Sequence, residues 1–290
     1  MEYIQQFLNY LKVIKKSSKY TMNSYQVDLE EFYDFTTEIL KITEEIVQEY
    51  LEYLYSKGLN RNSISRKLSS LRSFYHYLMS EGKISQNYFK EISNPKRKEA
   101  LPKYAKDNDL EKIFASFDKT NPLGQRNALV LEMLYATGVR VGELVNIKLE
   151  DINSYYRTVK IMGKGSKERI VIYGSYCEDA LNLYIRDGRK KLQKEYTNYL
   201  FLNKNGGKLS SRFIRKIIDD AVKKCEVNYH ISPHTLRHTF ATDMLNAGAD
   251  LITVKELLGH SSVNTTGIYT HISNEQLKKV YSFAHPRSKK

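Results

Sequence analysis

The chain has no tryptophan and only two cysteines in 290 residues. Cys177 and Cys225 form neither a CxxC pair nor a disulfide framework, which argues against a stapled secreted scaffold and fits a reducing cytosol. No apolar run approaches the roughly 20 residues of a membrane-spanning helix, so no membrane span is expected. The opening MEYIQQFLNYLKVIKK places Glu2 at once and mixes polar with apolar residues. A signal peptide is therefore not expected. There is no internal repeat, no low-complexity tract and no acidic cluster of the two-metal type. Acid is also in deficit: 33 Asp and Glu stand against 46 Lys and Arg, a formal net charge of +13. Such an excess implies an extended polyanionic partner, nucleic acid before an anionic membrane. The 23 tyrosines mean that no tyrosine is notable by identity alone.

What is present reads as an ordinary globular chain, 41% hydrophobic and 27% charged, long enough for two domains. Residues 1–92 read as four helices in a compact bundle. Their apolar stripes are Phe7, Leu8, Leu11, Ile14; then Tyr25, Leu29, Phe32, Phe35 after the cap candidates Ser18 and Thr21. A third helix opens at Thr43 and ends near Gly58. A fourth follows Asn60 to about Glu81, with the stripe Ile64, Leu68, Leu71, Phe74, Tyr75 and Leu78. Arg66, Lys67 and Arg72 lie largely off that stripe and are expected to face DNA, in competition with simple solvation. Residues 93–106 read as a basic linker in which Pro95 and Pro102 break helix. Its Lys96, Arg97, Lys98 and Lys103 suit phosphate neutralisation, or equally a solvated tether.

From residue 107 to 290 a mixed α+β domain is expected. Leu110, Ile113 and Phe114 mark its first helix. Asn127 to Tyr135 is an apolar helix that should be buried, ending in Ala136-Thr137-Gly138. Arg140 and Glu143 then fall on a new short helical segment. Residues 157–173 alternate in strand fashion around Gly163-Lys164-Gly165-Ser166, a hairpin. Leu200-Phe201-Leu202 before Asn205-Gly206-Gly207 reads as a third strand and turn. Helices are expected over Phe213–Val222, His234–Asn246, Leu251–Leu258 and Gln276–Phe283. The fold class is thus mainly α with a small β-sheet.

Chemistry concentrates in SPHTLRHTFATDMLNAGADLITVKELLGHSSVNTTGIYTH, from Ser232 to His271. His234 and Arg237 are three apart and share a face if helical. His260 follows a helix end with Gly259 near the C-cap. With Arg140, Lys164 and Tyr269 these residues could serve a phosphodiester. Two arginines offer planar forks that stay charged. Donors aimed at phosphate oxygens favour the transition state, where charge builds. A tyrosine becomes a nucleophile only if its proton is removed, and His234 is a candidate base, with His260 a donor to the phosphate. A lysine on a hairpin tip could protonate the leaving oxygen. Singly each has a bland alternative: Arg140 could merely pair with Glu143, Lys164 could be one exposed lysine beside Lys167, and His234 with His238 could be half of a zinc site lacking its Glu.

Order and spacing go further. ATGVRVGEL, GKGSKER, SPHTLRHTFAT, LLGHSS and TTGIYTH together closely resemble the tyrosine site-specific recombinases, of the compact Xer-like type. FLNYL…TMNSYQVDLEEF and SISRKLSSLRSFYHYLMSEG extend the likeness to essentially the whole chain. The resemblance implies an N-terminal four-helix SAM-like core-binding domain and a C-terminal tyrosine recombinase catalytic domain that together clamp DNA. It implies that Arg140, Lys164, His234, Arg237 and His260 activate the phosphate, with Glu143 in support, and that Tyr269 becomes linked to the DNA 3′-phosphate. Lys167 and Arg169 of the hairpin are expected to touch DNA. Four protomers, identical or shared with a second recombinase, would hold two sites and exchange strands through a Holliday junction, without metal or nucleotide cofactor. A DNA translocase is a possible partner, and the place is the cytoplasm, at the nucleoid. The final helix is expected to dock on a neighbouring protomer, or else on its own domain. Resolution of chromosome or plasmid dimers is the leading role; an integrase of a mobile element and a silent DNA-binding protein are the rivals. Asn87-Tyr88 departs from the usual Asn-Pro, and Gly267 stands where a larger polar residue is common.

Overall fold

The computed structural model describes residues 1–93, 104–163, 168–259 and 274–289. The chain divides into two compact units, residues 1–100 and 101–290. In the first, α1 (Glu2–Val13), α2 (Lys19–Phe35), α3 (Glu44–Ser56) and α4 (Arg61–Ser80) enclose one core. Local signals set their starts. The side chains of Ser18, Thr43 and Asn60 accept the N–H of Thr21, Ile46 and Ser63, satisfying donors that a helix start leaves open. The α4 stripe is fully buried as expected, whereas Ile14 falls beyond α1 and is exposed.

The basic residues of α4, expected to face DNA, have partners within their own unit. Asp28 on α2 is wholly buried and accepts from Arg66, from Lys67 Nζ at 3.3 Å and from Ser70 Oγ at 2.6 Å. Lys67 is only 4% exposed and also reaches Glu31 at 2.8 Å. It serves the α2–α4 contact, because leaving a carboxylate buried without a cation is costly. Arg72 likewise turns inward, donating to the carbonyls of Phe89 (2.9 Å) and Ile92 (2.6 Å). Arg66 is paired but stays about half exposed. Asn87 caps a 3₁₀ turn, Tyr88–Lys90, and its amide donates to Arg72 O at 3.1 Å. Tyr88 thus occupies the first turn position, where proline would also fit.

The second unit is built on α6 (Pro122–Thr137), buried on nearly every side. It is packed by α5 (Asp107–Ala115), by α8 (Ser175–Leu183) and α9 (Arg189–Leu192), and by α10 (Ser211–Lys224) and α11 (Pro233–Asn246). Between α6 and the sheet lies the short α7 (Val141–Leu144). The sheet is three antiparallel strands in the order β1 (Ile152–Asn153), β2 (Thr158–Met162), β3 (Glu168–Ile172), with Val159 opposite Val171. The hairpin forms where expected, but the third strand is Ile152–Asn153 and not Leu200–Leu202. Leu200, Phe201 and Leu202 are all buried, and their backbone joins only isolated bridges and loops, such as Leu200 N to Ile147 O at 2.9 Å. A fully buried apolar run has no alternation by which to be recognised. Ser175–Leu192 is a further helical stretch, with a π turn at Tyr184–Gly188, that the sequence pattern does not announce.

A second apolar cluster joins Phe240 and Met244 of α11, Val254, Leu257 and Leu258 of α12 (Leu251–Leu258) and Leu277, Tyr281 and Ala284 of α13 (Asn274–Ala284). In this chain α13 therefore buries its apolar face on its own domain, while Phe283 points away, 83% exposed. Beyond α13, the His285 ring is buried between α6 and the chain end. Its Nδ1 accepts the Arg287 N–H at 3.1 Å and its Nε2 faces Tyr135 O at 3.3 Å, a pattern that suits the neutral ring. Burial pushes its pKa down to about 3. The unfolded chain takes up this proton near pH 6.5 while the folded chain does not, so stability is full above about 6.5 and falls as the pH drops toward 3. The limiting slope is about 1.4 kcal/mol per pH unit for one proton. Urea titrations of the protein between pH 7.5 and 5 should show a shallower pH dependence for His285→Gln. Equal slopes in the two proteins would contradict this assignment.

Candidate active site

Local rules set the scaffold of the site. Gly138 ends α6 in a left-handed conformation, φ +59°, and a Cβ there would meet Leu258 Cδ2 and Phe240 Cδ1 at 2.7 Å. Arg140 then starts α7, its N–H donating to Glu143 Oε2 at 2.8 Å. Ser232 caps α11, with Pro233 at its first position, so that His234 and Arg237 follow in the opening turns. Gly259 ends α12 at φ +65°.

These elements surround a cleft of about 820 Å³ lined by Arg140, Glu143, Arg169, Arg215, His234 and Arg237, among others. His234 is exposed within it. Arg237 is only 8% exposed and bridges two elements, donating to Gly138 O at 2.6 Å and Leu258 O at 2.7 Å. Burial and the nearby Arg140 lower its pKa to about 10, which leaves it charged at neutral pH. Glu143 is the hub. Its Oε1 accepts from Arg140 Nη1 and Arg169 Nη1, both at 3.0 Å, and its Oε2 accepts from Arg169 Nη2 at 2.8 Å as well as from Arg140 N–H. All four lone-pair sites of the carboxylate are thus used. Burial alone would raise the Glu143 pKa; the Arg169 and Arg140 hydrogen bonds more than offset it, and it lies below the ordinary value.

Four arginines against the carboxylates of Glu143, Glu168 and Glu256 leave the cleft net positive, which suits an anion. Arg140 is more open to it than Arg169 or Arg237, its side chain 41% exposed. Arg169, expected to touch DNA, lines the cleft with its side chain mostly buried against Glu143. Of the expected residues, the structure brings together Arg140, Glu143, His234, Arg237 and Arg169. Lys164, Lys167, His260 and Tyr269 lie outside the described residues, as do Lys96, Arg97, Lys98, Lys103 and Gly267. The sequence reading missed Ser211, Arg215 and Glu256, which also line the cleft. Their only sequence signal was the amphipathic pattern of α10 and α12, which does not say what the polar face meets. Among the described residues, no three His, Cys, Asp or Glu side chains are grouped to hold a metal ion, and no helix is long and apolar enough to cross a membrane.

Residues 103–276 match the model of the phage integrase family, and residues 4–82 match that of the phage integrase N-terminal SAM-like domain. The chain belongs to the phage integrase family. Its relatives in the family include the tyrosine recombinase XerC of Oceanobacillus iheyensis, 44% identical over 294 residues, covering 99% of this chain and 96% of that one. The tyrosine recombinase XerC of Staphylococcus aureus is 45% identical over 295 residues, covering 100% and 99%. Among solved structures, XerH site-specific recombinase bound to a palindromic difH substrate, in a post-cleavage complex, superposes with a TM-score of 0.71. It is 26% identical and covers 96% of this chain and 84% of that one. As a family member the chain is a Xer-like tyrosine recombinase, an enzyme of site-specific DNA recombination, with the mainly helical two-domain architecture and small sheet described above.

Proposed function

We propose that this recombinase cuts and rejoins double-stranded DNA at a dif-like site in the cytoplasm, resolving chromosome or plasmid dimers. The observation that carries the reading is the convergence of Arg140, His234 and Arg237 on one positive cleft. The full-length similarity to XerC and the structural likeness to XerH on difH support the choice of site.

In this reading the scissile phosphate enters the cleft. Arg140, less buried than Arg237, offers its fork to the non-bridging oxygens, and Arg237 adds a charge held rigidly by two backbone carbonyls. His234 takes the proton of Tyr269, whose oxygen bonds to phosphorus as the bond to the 5′-oxygen breaks. Lys164 gives that oxygen a proton, and His260 donates to the phosphate. A 3′-phosphotyrosyl link and a free 5′-hydroxyl result. Attack by the 5′-hydroxyl of a second site reverses the step. Because the link conserves the energy of the broken bond, strand exchange needs no nucleotide. Four protomers, alike or paired with a second recombinase, hold two sites and pass through a Holliday junction, with a DNA translocase as a candidate regulator. The basic linker residues Lys96, Arg97, Lys98 and Lys103, with Lys167 and the half-exposed Arg66, supply phosphate contacts.

Incubation with the candidate dimer-resolution site of its own chromosome should yield a covalent protein–DNA adduct and recombinant product. Action only on the ends of a mobile element would favour the integrase role, and binding without cleavage on any site would overturn the reading.

A further inference from the structure

We propose that Arg169 is a positioning residue of the active site, tying strand β3, the Arg140–Glu143 turn and the end of α12 into one unit. The inference rests on the cleft being the recombinase site. The side chain is 13% exposed and grips both oxygens of Glu143, at 3.0 and 2.8 Å. Its Nε points at Leu257 O, 3.4 Å away at the end of α12. A Cβ built on Gly259 would lie 2.7 to 3.0 Å from the Cδ, Nε and Cζ of Arg169, so the helix terminus rests directly on the guanidinium. Arg237 takes the next carbonyl, Leu258 O. Two guanidinium groups thus receive successive open carbonyls of the last helical turn, groups that no intrahelical donor can serve.

Each held segment adjoins a residue assigned to chemistry. Arg169 follows Lys164 by five positions along the hairpin, and His260 comes directly after Gly259. Glu143 also holds Arg140, and here the charge balance matters. One carboxylate is shared by two guanidinium groups, so Arg140 is oriented by Glu143 without being neutralised by it. With Arg169 removed, the whole Glu143 charge would fall to Arg140, weakening its pull on a phosphate, and the α12 end would lose its support. A bidentate grip on a DNA phosphate through Nη1 and Nη2 would need the fork that Glu143 already occupies.

The test is single-turnover cleavage of a nicked duplex carrying the recombination site, at saturating protein, beside direct measurement of the Kd for the same duplex. Arg169→Gln should slow adduct formation by about 10²-fold, the scale of a displaced catalytic constellation, with the Kd nearly unchanged. Arg169→Lys keeps the charge but not the fork, and should recover part of the rate. In the Glu143→Gln background, Arg169→Gln should add little further loss, since the two act as one unit. A weakened Kd with an unchanged saturating rate would overturn the proposal in favour of a DNA contact. An unchanged rate and Kd would overturn it outright, as would a wild-type rate in Arg169→Lys where Arg169→Gln fails to fold. A wild-type chain that forms no adduct would overturn the recombinase site itself; a wild-type adduct with an equally fast Arg169→Gln overturns this inference alone.

Discussion

Arg237→Ala is expected to reduce DNA cleavage by at least about 10³-fold, the loss of a preorganised donor to the phosphate together with the support it gives its neighbours. The side chain has two tasks that the structure joins in one group. Its charge faces the cleft, and its fork clamps Gly138 O to Leu258 O, holding the entry to Arg140 against the end of α12. Removal leaves two carbonyls without their donor, at about 1–3 kcal/mol each, so the catalytic unit should also melt earlier. Arg237→Lys restores a charge but, as a point donor on a flexible stem, cannot span both carbonyls. It should therefore remain well below the wild-type rate. Single-turnover cleavage and thermal unfolding of the same preparations check both parts. Cleavage by Arg237→Ala within about 10-fold of wild type would remove the arginine from the transition state.

Arg287→Ala should destabilise the catalytic unit by about 3–5 kcal/mol, as expected when one partner of a buried ion pair is lost. Arg287 is buried near the chain end and grips Glu132 of α6 at 2.9 and 2.5 Å, with a further bond to Glu111 at 2.7 Å. Its guanidinium lies 4.0 Å from the ring centres of Phe114 and Tyr176. Burial alone would lower its pKa; the two glutamates raise it above the ordinary value. Without it, Glu132 is stranded inside α6. The double change Glu132→Met with Arg287→Met removes both charges at once and should regain much of the loss. Urea unfolding followed by far-ultraviolet circular dichroism reads the difference, and a shift below about 1 kcal/mol would mean that the pair is not the anchor of the C-terminal segment.

Comparison of these residues shows which features are legible in a sequence. Helix ends are local, so Ser18, Thr43, Asn60, Gly138 and Gly259 announce them, and the structure places each at an element boundary. The fold class and the α4 stripe follow from periodicity for the same reason. Partners far apart in sequence are not local. Arg287 finds Glu132 across 155 positions, and Lys67 finds Asp28 across 39. A count of positive charge cannot tell that Lys67 and Arg169 pair with carboxylates or that Arg72 meets the carbonyls of Phe89 and Ile92. In the site, His234 and Arg237 were legible as one helical face, whereas the role of Glu143 as a shared acceptor needed the positions of both arginines. Arg215 and Ser211 reach the cleft only because α10 packs on α6.

The central claim is that Tyr269 attacks the phosphate held in this cleft. It is tested most directly by trapping the protein on a nicked duplex bearing its recombination site and mapping the modified peptide. Wild type should carry the DNA 3′-phosphate on Tyr269, and Tyr269→Phe should bind the duplex with undiminished affinity yet form no adduct. An adduct that persists in Tyr269→Phe, or that maps to another residue, would contradict it.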